Sequence, residues 1–281
     1  MDQLNFIVTG SSGYIGSNFI QQYPKSFILK KDKKGTISIS QDGSTIQTVS
    51  GPCVLIHLAT YFSLEEDDKD LIREANLDYG REVLNFVENL DLKKIVYTNS
   101  MYNFYEQDKE RESYYTKTKK QFSNFLNDYC EKNSISFEEI YLDNTYGNID
   151  KRKKVIPLII KNIINEKSNP LKNPDNLINL MHVNDVVEKL QIAAKNKESR
   201  VSYFVNKKSI QIGSIFEYLF EYKKTQKSNE NKLIFHENEY INIKNFVIDY
   251  EDIEIKEISN GLLETYLEYA KMFSNIRILS K

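Results

Sequence analysis

The sequence predicts an α/β protein built on a doubly wound parallel sheet, with a smaller substrate-binding lobe in its C-terminal half. Three observations carry that prediction. The apolar run Phe6-Ile7-Val8-Thr9 leads directly into glycines at positions 10, 13 and 16. Strand-like apolar runs then alternate with helix-like segments as far as Gly147. The stretch Cys53-Val54-Leu55-Ile56-His57-Leu58-Ala59-Thr60 is continuously apolar over its first half, as expected of a parallel strand covered on both faces.

Taken in order, Phe6 to Thr9 is the first strand, and the glycines turn the chain into a short helix that continues over Ser17 to Gln22. Glycine lets the backbone turn sharply and approach a ligand without a Cβ in the way. Unpaired N–H groups at a helix start favour a pyrophosphate. Ser26 to Leu29 is a second strand ending in Lys30-Lys31-Asp32-Lys33-Lys34. In a dinucleotide fold that strand end meets the adenosine ribose. An acid there suits a free 2′-hydroxyl, whereas lysines suit a 2′-phosphate. Asp32 sits slightly beyond the expected position and leaves NADH open.

Residues 35–50 suggest one weak strand, and Cys53 to Thr60 the clearest internal one. A helix is expected from about Leu71 to Asn89, a strand over Lys94 to Thr98, and a long helix over Ser113 to Tyr129. Phe137 to Leu142 is a further strand, ending at Asn144-Thr145-Tyr146-Gly147. Beyond it come an apolar helix at Val155 to Asn165, a strand at Leu180 to Val183, a helix at Asn184 to Lys195 and a strand at Val201 to Val205. A helix near Ile215 to Tyr222, short strands at Lys232 to Phe235 and Asn245 to Ile248, and a terminal helix at Leu262 to Phe273 complete the expectation. The division implied is a dinucleotide-binding domain over residues 1–147 and a smaller substrate-binding lobe over 148–281, partly interleaved with the first.

Composition narrows the function classes. The 281 residues carry a net charge of −2, so no basic field points to nucleic acid. No apolar segment reaches bilayer length, and no leader precedes the first strand, so neither membrane nor export is expected and a cytoplasmic protein is. Cys53 and Cys130 are the two cysteines, which excludes a disulfide framework, and no cluster has metal-ligand spacing.

Chemistry converges at the carboxyl ends of the strands, where such sheets bind ligands. Ser100 closes one strand, and Tyr115-Thr116-Lys117-Thr118-Lys119 places Tyr115 and Lys119 one helical turn apart on one face. His182 reads as a packed histidine. Tyr102, Phe104 and Tyr105 suit either a core plug or a wall for substrate.

This set resembles the extended short-chain dehydrogenase/reductase (NAD-dependent epimerase/dehydratase) family. The matching pieces are Gly10, Gly13 and Gly16; Ile56 to Ala59; Ser100; Tyr115 with Lys119; Asn144 to Gly147; His182-Val183-Asn184-Asp185-Val186; and Gly261 to Thr265. Within the family the resemblance is to nucleotide-sugar 4-reductases of the CDP-abequose synthase type, through Ile56 to Thr60, Tyr115 to Phe122, Ile135 to Phe137 and Ile156 to Ile160. The resemblance implies a Rossmann fold and NADPH, with NADH as the other option. The implied cofactor residues are Gly10, Ser12, Gly13, Tyr14, Ile15, Gly16, Lys30, Lys31, Leu58, Ala59, Thr60, Thr98, Tyr115, Lys119 and Leu142. It further implies a nucleotide-sugar substrate, CDP-linked and deoxy, met by Thr60, Ser100, Met101, Tyr102, Tyr115 and Asn144. A homodimer through the helices near 71–89 and 113–129 is implied too.

The residues suit ketone reduction. A hydride delivered to a carbonyl leaves an oxygen that needs a proton, and a tyrosine in water, with a pKa of about 10, is a weak donor. A lysine cation nearby, together with an oxidised nicotinamide, brings that value down. Hence Tyr115 is expected as general acid, Lys119 as the group that lowers its pKa and holds the nicotinamide ribose, and Ser100 as donor to the substrate oxygen. Met101 and Tyr102 stand where a dehydratase carries an acidic pair. The chain also departs from the family. Asn148-Ile149 replace Gly-Pro, Tyr141 replaces an arginine, and Ile178-Asn179 replace an Arg-Asp pair whose arginine commonly contacts the pyrophosphate in the family. Lys151 to Lys154 or Lys172 are the available substitutes.

Overall fold

The computed structural model describes residues 4–105, 112–168, 171–238, 250 and 253–279. The chain divides into two compact units, one formed by Met1–Leu142 with Val187–Phe204 and the other by Asp143–Val186 with Val205–Lys281.

The first unit is an eight-stranded sheet. Its central strands are β1 (Asn5–Thr9), β5 (Cys53–His57) and β6 (Leu92–Ser100), all pairing in parallel. β5 is buried at every residue, which is why its sequence shows no polar alternation. β2 (Phe27–Lys31) joins β1 in parallel on one side. β7 (Ser136–Leu142) and β11 (Arg200–Phe204) extend the parallel array on the other. Lys30 and Lys31 thus lie inside β2 rather than in a loop after it.

Where one weak strand is expected over 35–50, the chain makes two. β3 (Ile37–Gln41) returns antiparallel on β2, and β4 (Ser44–Ile46) returns on β3. The polar character of this stretch reflects a meander with one buried face. Leu29 and Ile39 point into the core, while Lys30 is exposed. The tip is Asp42-Gly43, both at positive φ (50° and 79°), the backbone a two-residue hairpin requires.

Helix α1 (Tyr14–Gln22) follows the glycine turn. The helix expected over 71–89 is instead α2 (Lys69–Arg73), one π-helical stretch over Glu74–Asp78, and α3 (Tyr79–Val87). A short α4 (Tyr102–Tyr105) follows β6. α5 (Tyr114–Asn133) starts on Ser113, whose side chain accepts from Thr116 N, and ends on Ser134 in the left-handed region. Val83, Leu84 and Val87 of α3 and Phe122, Leu126 and Cys130 of α5 cover one face of the sheet.

In the second unit β8 (Asn144–Tyr146) pairs in parallel with β10 (Leu180–His182). β12 (Lys208–Gln211) lies between β9 (Leu177–Ile178) and β13 (Phe235–Glu237). Helices α6 (Val155–Ile164), α8 (Ile212–Thr225) and α9 (Ile258–Leu279) share a core of Ile159, Ile160, Ile163, Ile215, Leu219 and Leu262. Helix α7 (Val183–Lys195) starts in this unit and continues in the first. The expected strand at Asn245 to Ile248 lies outside the described residues. Among the described residues no helix is long and apolar enough to cross a membrane.

Candidate active site

The site is built at the carboxyl ends of β1, β5 and β6. Gly10 takes φ +68°, and a Cβ there would stand 2.6 Å from Ala59 N. A Cβ on Gly16 would stand 2.2 Å from Gly10 O. The first and third glycines therefore let the turn close on β5 and let α1 pack against the turn. Thr9 locks the same crossing: its hydroxyl accepts from Leu58 N (3.2 Å) and Ala59 N (3.3 Å) and meets His57 Nδ1 at 3.0 Å. Because the Thr9 oxygen already accepts twice, its proton goes to Nδ1, which makes His57 the Nε2–H tautomer. Burial, then the Lys119 charge, push His57 down to about 3.

Tyr115 is buried, and its phenol hydrogen-bonds both Thr60 and Ser100. Thr60 Oγ1 in turn donates to Asn76 Oδ1 at 2.9 Å. Asn76 lies in the π-helical stretch, is itself buried, accepts from Tyr61 N at 2.9 Å and donates to Thr118 Oγ1 at 3.1 Å. Sequence reasoning missed Asn76: an asparagine in a helical pattern carries no local sign that it joins a loop to a second helix. Ser100 is fixed from the backbone, since its N–H donates to Asn99 Oδ1 (2.8 Å) and its hydroxyl accepts from Tyr102 N (3.2 Å).

Burial pushes the Tyr115 phenol up to about 12, against the pull of Thr60 and Ser100. Lys119 is buried as well, and burial brings its ammonium down to about 7, opposed by the Glu139 carboxylate. Its Nζ donates to Thr98 O at 2.6 Å and lies 4.1 Å from the centroid of the Tyr97 ring. The groups that pull Tyr115 down against burial are the Thr60 and Ser100 hydroxyls, while the Lys119 ammonium is directed at Thr98 and Tyr97.

The aromatic loop divides. Phe104 packs on Tyr141 (5.0 Å) and Tyr203 (5.8 Å). Tyr102 meets Phe62 at 5.8 Å and Tyr105 at 6.1 Å, and Phe62 stands edge-on to Tyr115 at 4.9 Å. Phe104 is the plug, and Phe62 and Tyr102 form the wall beside the phenol. Met101 is fully buried, with its N–H on Leu142 O at 3.0 Å, so it presents no exposed atom to a substrate. Asn144 belongs to the second unit, where its Nδ2 donates to Asp143 Oδ1 at 2.6 Å.

Residues 6–213 match the sequence profile of the NAD dependent epimerase/dehydratase family. The chain belongs to this family. Among curated relatives, the CDP-abequose synthase of Salmonella typhimurium (strain LT2) is 24% identical over 216 residues, 70% of this chain and 72% of that protein. The CDP-abequose synthase of Yersinia pseudotuberculosis is 21% identical over 202 residues, 66% and 71% of the two chains. Among solved structures, the UDP-N-acetylglucosamine 4-epimerase of Methanobrevibacter ruminantium M1, in complex with UDP-N-acetylmuramic acid, superposes with a TM-score of 0.70 at 17% identity, over 97% of this chain and all of that one. The Bordetella bronchiseptica enzyme WbmF, in complex with NADH, does so at 0.70 and 16%, over 97% and 94%. At these identities the structures share the fold.

The glycine turn of this epimerase/dehydratase family member suits a dinucleotide. Gly13 caps α1 without a side-chain acceptor, no acid occupies the first turn, and the buried Ser11 hydroxyl in the turn has no hydrogen-bond partner among the described residues. Ser12 is exposed beside it, and Tyr14 and Ile15 open the helix half-buried. At the end of β2, Lys31 is engaged by Glu82 at 2.9 Å, with Glu74 at 3.8 Å, which leaves Lys30 as the exposed lysine of that strand. Asp32 turns inward on its own loop, accepting from Lys34 N and Thr36 N.

Proposed function

We propose that this protein is an NADPH-dependent reductase of the 4-keto group of a CDP-linked deoxy sugar, supplying a precursor for surface polysaccharide. The observation that carries the reading is the Tyr115 phenol held by Ser100 and Thr60, with Lys119 one turn along α5. Kinship with three curated CDP-abequose synthases supports the substrate class.

The reduced nicotinamide, when bound, supplies the hydride that goes to the keto carbon. The chain handles the proton. Ser100 Oγ donates to the keto oxygen and draws charge onto it. Tyr115 is protonated at neutral pH because burial holds it at about 12, so it enters the reaction as the acid and gives its Oη proton to that oxygen. Thr60 Oγ1, whose own proton is on Asn76 Oδ1, accepts from the phenol and orients its O–H. Phe62 and Tyr102 offer an apolar wall for the C–H face of a deoxy sugar. Lys119 and Thr98, joined by the Nζ–carbonyl bond, are the residues this reading gives to the nicotinamide ribose. The reading also assigns the second lobe to substrate and the chain to a homodimer. Mass in solution tests the latter, and a monomer would reject it.

The deciding experiment incubates purified protein with CDP-4-keto sugars and either NADPH or NADH, following loss of the reduced-nicotinamide absorbance. Oxidation with NADPH is expected, faster than with NADH and slowed by Lys30→Ala. No consumption with any CDP-4-keto sugar would overturn the reading, and stoichiometric NAD carried through purification would point to epimerase chemistry instead.

A further inference from the structure

Glu139 lies on β7, is buried, and has no part in the chemistry above. Its Oε1 accepts from Asn99 Nδ2 at 2.5 Å and from Ser123 Oγ at 2.5 Å. The Tyr141 hydroxyl bonds it too, and Tyr141 also bonds Asn103. Asn99 spends its other end on the site: Oδ1 accepts from Ser100 N at 2.8 Å and from Asn103 Nδ2 at 3.0 Å. One carboxylate therefore fixes the asparagine that fixes Ser100. The same carboxylate acts on the charge of Lys119, which is buried one turn of α5 before Ser123.

We propose that Glu139 is a positioning residue: it orients Ser100 through Asn99 and supplies the buried counter-charge to Lys119. A buried cation needs such a partner, because desolvation favours its neutral form. The other groups around Lys119 do not supply one. From β6, Tyr97 presents its ring and Thr98 its carbonyl oxygen. From β5, His57 is held neutral, and on α5 Tyr115 is held neutral. Around Glu139, Tyr141 on β7 and Tyr203 on β11 are phenols raised by burial first and by Glu139 next. Glu139 also borders a groove of about 580 Å³ lined by Asp128 and Arg200, and Arg200 directs its Nε to Glu138 at 3.0 Å.

Glu139→Gln keeps an oxygen for the Asn99 and Ser123 bonds, both of which end on Oε1, while it removes the charge and sets an amide beside the Tyr141 hydroxyl. The inference rests on Ser100 and Tyr115 acting as proposed above, so the primary readout avoids turnover. The full chain is labelled at the lysine ε-carbon and titrated by NMR, with Lys119 assigned as the resonance absent from Lys119→Arg. The Lys119 midpoint, about 7 in the unaltered protein, is expected to fall by about one pH unit in Glu139→Gln and to recover in Glu139→Asp. The alkaline limb of kcat/KM for NADPH oxidation moves down with it. A Lys119 midpoint unmoved by Glu139→Gln overturns the proposal. If that variant does not fold, Glu139→Asp is read instead: a Lys119 midpoint that moves by a unit or more although the charge is kept overturns the proposal equally. Absence of NADPH oxidation with a shifted midpoint would reject the reductase reading alone.

Discussion

At Tyr115, burial and hydrogen bonding oppose each other, and burial wins. The residue is thereby an acid kept loaded until something draws its proton away. Tyr115→Phe is expected to lower kcat for NADPH oxidation by ~10²–10⁴-fold, the range for a positioned proton donor. The melting temperature should change little, because the ring keeps its edge contact with Phe62. A variant that retains turnover would remove Tyr115 from the chemistry. His57 gives a prediction of a different kind. Its folded pKa of about 3 lies below the unfolded value of about 6.5, so the unfolded chain binds the extra proton between those values. The stability it contributes is complete above the unfolded pKa and is lost as pH falls through the folded one. Urea unfolding should therefore show a loss of a few kcal/mol between roughly pH 6.5 and 3. His57→Asn, which can still accept from Thr9, should flatten that slope. The sequence marks Ser100, Tyr115 and Lys119 because their spacing is local. It does not mark Asn76 or Glu139, whose partners lie on other elements: Thr60 and Thr118 for one, Asn99 and Ser123 for the other.

At the scale of elements, the π-helical stretch between α2 and α3 is the least ordinary piece. A single wider turn moves Asn76 to where it meets the loop after β5 and α5 together. Apolar periodicity sees one helix there, since an inserted residue disturbs the pattern by less than its natural scatter. Asn76→Leu removes an acceptor for Tyr61 N and Thr60 Oγ1 and a donor to Thr118. A loss of about 1–3 kcal/mol in chemical denaturation is expected, together with a drop in kcat, as Thr60 no longer holds its place against Tyr115. Unchanged kcat would confine Asn76 to folding. The parallel strands were legible because both-sided burial leaves an unbroken apolar run. The β3–β4 meander was only half legible, because one-sided burial and polar residues look alike in a stretch that short.

Within the first unit as a whole, Glu138 ties the far edge of the sheet together. Lys94 Nζ meets it at 2.8 Å, Arg200 Nε at 3.0 Å, Ser202 Oγ at 3.1 Å and Lys189 Nζ at 3.3 Å. Burial raises this carboxyl, and the three cations outweigh burial and hold it below the usual carboxylate range. The contacts join β6, β7, α7 and β11, so the return of residues 187–204 to this unit is recorded in one carboxylate. Glu138→Gln leaves buried cations without their counter-charge. It should cost about 3–5 kcal/mol by urea denaturation, more than any substitution in the site, and a loss under one would show that the cations reorganise. No sequence pattern announces this cluster, since its members are charged residues that composition assigns to the surface. The hairpin of β3 and β4 has a practical consequence at the same scale. Its Asp42-Gly43 tip is an exposed two-residue loop at the outer end of the strand order, with β2 and β3 between it and the glycine turn on β1. A peptide tag or fluorophore inserted there meets no core residue, which makes the tip a place to attach a reporter without touching the surroundings of Tyr115.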